Sequence, residues 1–165
     1  MNVGASAPEE LGLYFSWGNS PGHAEGSGYD FSQEVYNETP GHAVTANLTL
    51  AEDMARQSIG TPWRMPTANE FEELNENCTS IWTSLNGMNG RLFTSNVNGR
   101  TLFFPAAGNY SGTSLDSRGS YGAYWSATYD TSASALCLAF GATRVNPKDS
   151  NGRQYGFSVR AVAIL

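Results

Sequence analysis

The side chains that could do chemistry in this chain are two histidines, two cysteines and a short run of glutamates. His23 and His42 lie in a Gly/Pro-rich stretch, and neither has a second His or a Glu at the spacing of known zinc motifs. We interpret both as surface loop residues, the alternatives being a metal ligand or a catalytic base. The run of Glu72, Glu73 and Glu76 is explained by the solvated face of a helix. The sequence therefore predicts no catalytic residue, no metal site and no cofactor.

The two cysteines do not suggest a reactive site. Cys78 and Cys137 could form one disulfide, but their spacing does not favour it, and we expect two free thiols. Cys78 falls on the apolar face of a predicted helix, where a free Cys behaves as a small hydrophobe. No CxxC, GxSxG, Walker loop or dinucleotide-binding fingerprint occurs. We therefore predict that the protein is not an enzyme.

The composition predicts one loop-rich domain over residues 1–165. Only 15% of the residues are charged, and 18 Gly and 7 Pro favour short elements. The net charge of −6 is uneven, because residues 1–118 hold 13 acids and 5 bases whereas residues 119–165 hold 2 acids and 4 bases. Without a Lys/Arg cluster this argues against nucleic-acid binding, and no apolar run is long enough to span a bilayer. The opening residues 1–4 suggest a domain taken from a longer protein.

Two capping boxes predict two short helices in an α+β fold. Thr49 with Glu52 should begin a helix that ends at about Ile59, before Gly60, and Thr67 with Glu70 should begin one that ends at about Asn77. The first should bury Leu50, Ala51, Met54 and Ala55, and the second Phe71, Leu74 and Cys78.

The rest of the chain predicts short strands and loops. An Asn-Gly turn at 98–99 indicates a hairpin between residues 91–94 and 101–104. Further strands are expected at 123–128, 134–140 and 156–162, with a turn region at 146–152. We predict that residues 16–43 form a long ordered loop held by Trp17, Tyr29, Phe31 and Tyr36.

The predicted strand at 134–140 alternates in an unusual way. Leu136, Leu138 and Phe140 share one face, which looks like core. The other face carries only small side chains, at Ala135, Cys137, Ala139 and Gly141. Because packing seldom selects four small residues in a row on a strand face, we interpret this face as an exposed binding surface.

A longer pattern points to a known family. The segment Thr61-Pro62-Trp63-Arg64-Met65-Pro66-Thr67-Ala68-Asn69-Glu70-Phe71 resembles one found in the Fibrobacter succinogenes major paralogous domains, and further matching segments span most of the chain. That resemblance implies a C-type lectin-like fold akin to the formylglycine-generating enzyme. The further segments are Asn2–Ala5, Gly12–Gly18, Phe104–Gly108, Tyr124–Thr128 and Gly156–Arg160.

Some proteins of that group are the variable proteins of diversity-generating retroelements, in which template adenines are rewritten. The resemblance implies a variable region at about 121–155 that contacts an unknown macromolecule, a protein or a cell surface, and it suggests display outside the cell. Trp125, Lys148 and Gln154 should stay fixed, because their residue types cannot arise at rewritten codons, and Arg160 belongs to the fixed frame. Cys137 and Ala139 stand where relatives carry bulky aromatics. The candidate ligand-contacting positions are Tyr121, Ala123, Tyr129, Asp130, Ala135, Cys137, Ala139, Gly141, Arg144, Asn146, Gly152 and Tyr155.

Three other functions stay open at this stage. An invariant adhesin or structural domain would share the frame and lack a variable region. A calcium-dependent lectin would need oxygen ligands, and only Asn146-Pro147-Lys148 faintly matches such a motif. An enzyme like the formylglycine-generating relatives would need paired cysteines, whereas Cys78 and Cys137 lie in unlike contexts.

Overall fold

A computed structural model describes residues 1–33 and 44–164, and this part of the chain is mainly β. Two helices accompany thirteen short strands in these ranges. The helices are α1 (Met54–Ile59) and α2 (Ala68–Asn77). The strands are β1 (Leu13–Phe15), β2 (His23–Ala24), β3 (Trp63–Arg64), β4 (Cys78–Leu85), β5 (Met88–Ser95), β6 (Thr101–Pro105), β7 (Asn109–Ser111), β8 (Ser114–Asp116), β9 (Gly122–Tyr129), β10 (Ser134–Phe140), β11 (Val145–Gly152), β12 (Phe157–Ser158) and β13 (Val162–Ala163).

The largest sheet has six strands in the order β11-β10-β9-β12-β1-β2. All its pairs are antiparallel except β12 with β9, which is parallel. A second sheet has the order β4-β5-β6, and two-stranded pairs join β13 to β3 and β7 to β8. Strand β11 therefore lies at one edge of the main sheet.

The predicted α+β, C-type lectin-like fold class is wrong. The helices contain only 6 and 10 residues, while paired strands in several sheets make up most of the regular secondary structure. The difference arises because two stretches that sequence reasoning left without strands, 78–85 and 145–152, both join sheets. The architecture is sandwich-like and mainly β.

Helix α2 follows the sequence prediction closely. The Thr67 hydroxyl accepts from the Glu70 N–H while the Glu70 carboxylate accepts from the Thr67 N–H, so both halves of the capping box are present. Phe71 is buried, and Leu74 and Cys78 pack half-buried against the same cluster. Cys78 is the first residue of β4 rather than a helix residue.

Helix α1 starts later than predicted. Thr49 donates to the Glu52 carboxylate, but the helix begins only after Asp53, whose carboxylate accepts from the N–H groups of Arg56 and Met65. Asp53 is buried and can bridge two segments, which explains why it replaces Thr49 as the cap. Leu50 and Ala51 are therefore exposed, contrary to the prediction, whereas Met54 and Ala55 are buried and Gly60 ends the helix at φ +74°.

The β5–β6 hairpin is confirmed, and β10 has the predicted bounds. The predicted turn region at 146–152 is wrong, because these residues form β11 and pair with β10. A bulge accommodates Pro147, which has no N–H to donate: Cys137 lies opposite Asp149, but Ala139 lies opposite Asn146. The predicted last strand is interrupted, and only its ends, β12 and the start of β13, are strands.

The core fills both faces of the main sheet. On one face Tyr124, Leu138 and Phe140 pack with Phe93 and Phe104 of the second sheet. On the other face a hydrophobic cluster surrounds two indoles that are fully buried, and each indole N–H donates to a backbone carbonyl at 2.8 Å. These are Trp17 to Ser126 and Trp125 to Phe15. The satisfied indoles tie β1 and the loop after it to β9.

The predicted long loop is described only in part. Trp17 and Phe31 are buried, and His23 stacks on Tyr29 with ring centroids 3.4 Å apart. Tyr36 and His42 lie outside the described residues.

No helix in the described ranges is long and apolar enough to cross a membrane. Both cysteines are free thiols.

The Arg64–Glu70 pair predicts a specific acid sensitivity. Arg64 donates twice to the Glu70 carboxylate, at 2.6 and 2.7 Å, and this lowers the pKa of Glu70 from its ordinary 4.5 to about 2. Because the folded pKa is depressed, the stabilisation is present above pH 4.5 and is lost as the pH falls toward 2. The Glu70 side chain is 33% exposed, so solvent screening limits the effect to about 1 kcal/mol.

We expect Glu70→Gln to lower the free energy of unfolding by about 1 kcal/mol at pH 7 and much less at pH 2.5. Urea unfolding at both pH values measures this. Glu73→Gln, at an exposed position on the same helix, is the matched control and should change neither value. An equal loss at both pH values would contradict the assignment.

Candidate functional site

Two adjoining hollows share the Tyr121 side chain and lie beside the edge strand β11. Together we call them the groove. The first, of about 270 Å³, is lined by Tyr121, Ala139, Phe140, Gly141, Arg144, Asn146 and Asp149. The second, of about 420 Å³, is lined by Asn109, Ser111, Asp116, Ser117, Tyr121, Asn151, Tyr155 and Phe157.

The turn that carries Arg144 is fixed from behind. The Gly141 N–H donates to the Arg144 carbonyl at 2.9 Å, which closes the turn between β10 and β11. The buried Arg91 guanidinium, from β5, donates to the carbonyls of Gly141 and Ala142, each at 3.2 Å, and to the Ser80 hydroxyl at 2.8 Å. Arg144 therefore projects from a base that the second sheet holds in place.

Two hydrogen-bond donors in the first hollow have no partner among the residues that the structure describes. Arg144 is exposed, and its guanidinium makes no hydrogen bond or ion pair with any residue in 1–33 or 44–164. The Tyr121 hydroxyl likewise makes no hydrogen bond in these ranges. Burial raises the pKa of Tyr121 above its usual value, and the nearby Cys137 and Asp149 add to the rise while Arg144 opposes it. The phenol is thus a protonated donor at neutral pH.

The acceptors of the same hollow are already engaged. The Asp149 carboxylate accepts from the side-chain amides of Asn146 and Asn151 at 2.9 and 2.8 Å. The side-chain oxygen Oδ1 of Asn146 accepts from the backbone N–H of Lys148 at 3.2 Å. Asn151 also donates to the Cys137 sulfur at 3.3 Å. Burial raises the pKa of that thiol to about 12, so Cys137 is not a thiolate nucleophile.

The second hollow is more polar. Asn109, Ser111 and Asp116 come from the β7–β8 hairpin, where the Ser114 hydroxyl donates to Asp116 at 2.8 Å. Tyr155 forms part of the opposite wall, and its ring lies nearly parallel to that of Phe157. This hollow combines hydrogen-bonding groups with an aromatic wall.

The predicted contact residues divide into three groups. Tyr121, Ala139, Gly141, Arg144, Asn146 and Tyr155 line the groove. Tyr129, Asp130 and Gly152 are partly exposed but lie outside the groove lining. Ala123, Ala135 and Cys137 are fully buried.

The prediction that the small-residue face of β10 is exposed is wrong for Ala135 and Cys137, which are fully buried. On this face Cys137 pairs with Trp125, whose indole stacks on Phe157 with ring centroids 4.2 Å apart. Ala123 and Ala135 belong to the same buried cluster. Small side chains on this face leave room for the large rings, so packing does select them. Ala139, on the same face, is 6% exposed and lines the first hollow of the groove.

Sequence reasoning missed two groove residues of β11, Asp149 and Asn151, and those contributed by the β7–β8 hairpin. Asp149 and Asn151 were assigned to a turn, although their period of two would have placed them on one strand face, opposite Cys137 and Ala135. Asn109, Ser111, Asp116 and Ser117 carry no local signal, because only the tertiary fold brings them to Tyr121.

Metal-binding geometry is lacking in the part of the chain that the structure describes. No group of three or more His, Cys, Asp or Glu side chains there could hold an ion.

Comparison with known proteins gives one partial match. A family model described as a domain of unknown function (DUF8237) matches residues 92–162, which include the whole stretch from Tyr121 to Tyr155. No curated protein and no solved structure matches the chain.

Introducing one residue type at two positions tests the burial of the small-residue face. We expect Cys137→Tyr to lower the free energy of unfolding by at least about 2 kcal/mol, because a large ring cannot fit beside Trp125. Arg144→Tyr, at an exposed groove position, should change it by no more than about 0.5 kcal/mol. Urea unfolding measures both, and similar costs for the two variants would contradict the packing described.

Proposed function

We propose that this protein is a non-catalytic binding protein whose groove contacts a macromolecular ligand, a protein or a cell surface. The observation that carries the proposal is the pair of unengaged donors, Arg144 and Tyr121, on a concave surface whose backbone is held from behind. Arg and Tyr are the residue types most enriched among energetic anchors of interfaces.

The rigidity of the groove supports binding. Arg91 holds the turn at one end of the groove, and Arg153, fully buried, holds the segment between β11 and Tyr155 through backbone carbonyls. A preformed surface avoids the loss of conformational entropy that ordering a loop would require on binding.

The chemistry of the lining groups also favours binding over catalysis. Tyr121 and the Cys137 thiol beneath the groove are protonated at neutral pH, and the Asp149 carboxylate is engaged by two amides. A nucleophile activated by an adjacent base would need a different arrangement.

We further propose that the exposed groove positions are diversified, as in the variable proteins of diversity-generating retroelements. Gly141 accepts a side chain without strain, since a Cβ there would meet only the Ser120 carbonyl at 3.6 Å, and Arg144 extends into solvent. Three of the four positions expected to stay fixed have structural roles. Trp125 is core, Lys148 pairs with Glu72 at 2.6 Å, and Arg160 donates to the Phe103 carbonyl.

Filling the first hollow tests the binding surface. Gly141→Trp should abolish specific binding to arrays of purified cell-surface proteins and glycans, because its ring would occupy the space beside Arg144. Val97→Trp adds the same side chain at a position 86% exposed on the β5–β6 hairpin and should bind like wild type. If every interaction on the array survived Gly141→Trp, the groove would not be the binding surface.

Sequencing the DNA beside the gene tests diversification. We expect a near-copy of the segment encoding the groove that differs mainly at adenines, with differences at Gly141, Arg144, Asn146 and Tyr155. Codons for Ala123, Ala135 and Cys137 should encode only small residues in sibling genes, since these positions are buried. The absence of such a copy, or of a neighbouring reverse transcriptase, would leave an invariant adhesin as the better account.

A further inference from the structure

We propose that the first hollow of the groove binds a carboxylate of a protein partner, flanked by an apolar side chain of the same partner. This inference rests on the proposed binding function and assigns the chemistry of the ligand. We infer this chemistry from the hydrogen-bonding groups around the first hollow. Its donors have no partner in the described ranges, whereas its acceptors already have one.

The donors of the first hollow require an acceptor from the ligand. The Arg144 fork and the Tyr121 hydroxyl are unengaged within the described ranges and line the same space. Each carboxylate oxygen of Asp149 and the side-chain oxygen of Asn146 already accepts one hydrogen bond, from an amide or from a backbone N–H. A ligand that fills this space therefore supplies oxygen acceptors, and a planar carboxylate matches the guanidinium fork.

The charges around the first hollow favour a ligand group that carries a single negative charge. Among the described basic residues after position 118, Lys148 is paired with Glu72, and Arg153 and Arg160 are buried, so Arg144 is the cation available to a ligand. Asp149 lines the same hollow and repels anions. A phosphate-ester dianion would leave one of its two charges without a cation, whereas Arg144 alone neutralises a carboxylate.

The apolar surface of the first hollow is the reason why we expect an apolar side chain of the partner beside the carboxylate. Ala139 and the half-buried Tyr121 ring supply this apolar surface, while the Phe140 ring packs on the opposite face of the sheet. The cavity of about 270 Å³ can take one aliphatic or aromatic side chain. Burial of that side chain supplies affinity, and the carboxylate on Arg144 supplies orientation.

The test uses a positional-scanning library of hexapeptides, N-acetylated and C-amidated, with fluorescence anisotropy as the measure of binding. We expect selection of Asp or Glu next to Phe, Tyr, Leu or Ile. Replacing the selected acid by its amide should weaken binding roughly ten- to a hundredfold, as should Arg144→Gln. Tyr121→Phe should weaken it roughly three- to tenfold. Arg100→Gln, at an exposed arginine on the β5–β6 hairpin, should have no effect.

Two further peptide series identify the source of the negative charge. Peptides with a free C-terminus replace the amidated ones, and phosphoserine replaces the selected acid. Tighter binding of the free acid would assign the site to a chain terminus, which is the same carboxylate chemistry. Tighter binding of phosphoserine peptides would overturn the proposal.

Several results would refute the inference without refuting the proposed function. Acidic and neutral peptides binding equally well, Arg144→Gln binding like wild type, or no peptide binding at about 1 mM would each do so. Binding that Gly141→Trp blocks but that does not depend on a carboxylate would leave the groove as a binding surface. Peptide and array binding that are both insensitive to Gly141→Trp would refute both proposals.

Discussion

Arg153 is a fully buried cation, and the arrangement of the groove depends on how it is satisfied. Its guanidinium donates to the carbonyls of Val44, Thr131 and Ser134, and it stacks 4.6 Å from the Trp17 ring centroid. A charge buried without such partners would cost several kcal/mol. Because the partners come from segments far apart in sequence, satisfying this one side chain fixes the N-terminal loop, the β9–β10 connection and the end of β11 relative to one another.

Buried arginines satisfy backbone carbonyls that have no partner in a helix or sheet. Arg91, Arg153 and Arg160 are all buried; Arg91 and Arg153 donate to backbone carbonyls of loops and strand ends, and Arg160 donates to the Phe103 carbonyl of β6. The five N–H groups of one guanidinium can satisfy several such carbonyls, which a helix or sheet would otherwise have to pair. Burial lowers the pKa of each, yet arginine remains charged at neutral pH. A loop-rich chain can therefore still present a surface of defined geometry, because these arginines fix its backbone.

The sequence predicted local features well and tertiary ones poorly. Thr67 with Glu70 and the Asn98-Gly99 turn are satisfied by neighbouring residues, so their outcome could be read locally. Asp53 replaced Thr49 as a helix cap because it also reaches Met65, a contact that spacing cannot reveal.

The same limit applies to the candidate site. Arg144 and Tyr121 were among the candidates because both fall in the variable region at about 121–155 that the resemblance implied. Cys137 was assigned to solvent because the alternation of β10 shows two faces but not that Trp125 and Phe157 cover the second one. Asp149 was missed because the composition of 146–152 is typical of turns, while pairing with β10 decided its structure.

The bulge at Pro147 has a consequence for how this protein behaves at high concentration. An edge strand with free N–H and C=O groups is a template on which identical chains can add and grow into aggregates. Pro147 removes one donor from β11, the bulge interrupts its regular spacing, and Lys148 places a charge beside it. The strand that borders the groove is therefore a poor template for self-association.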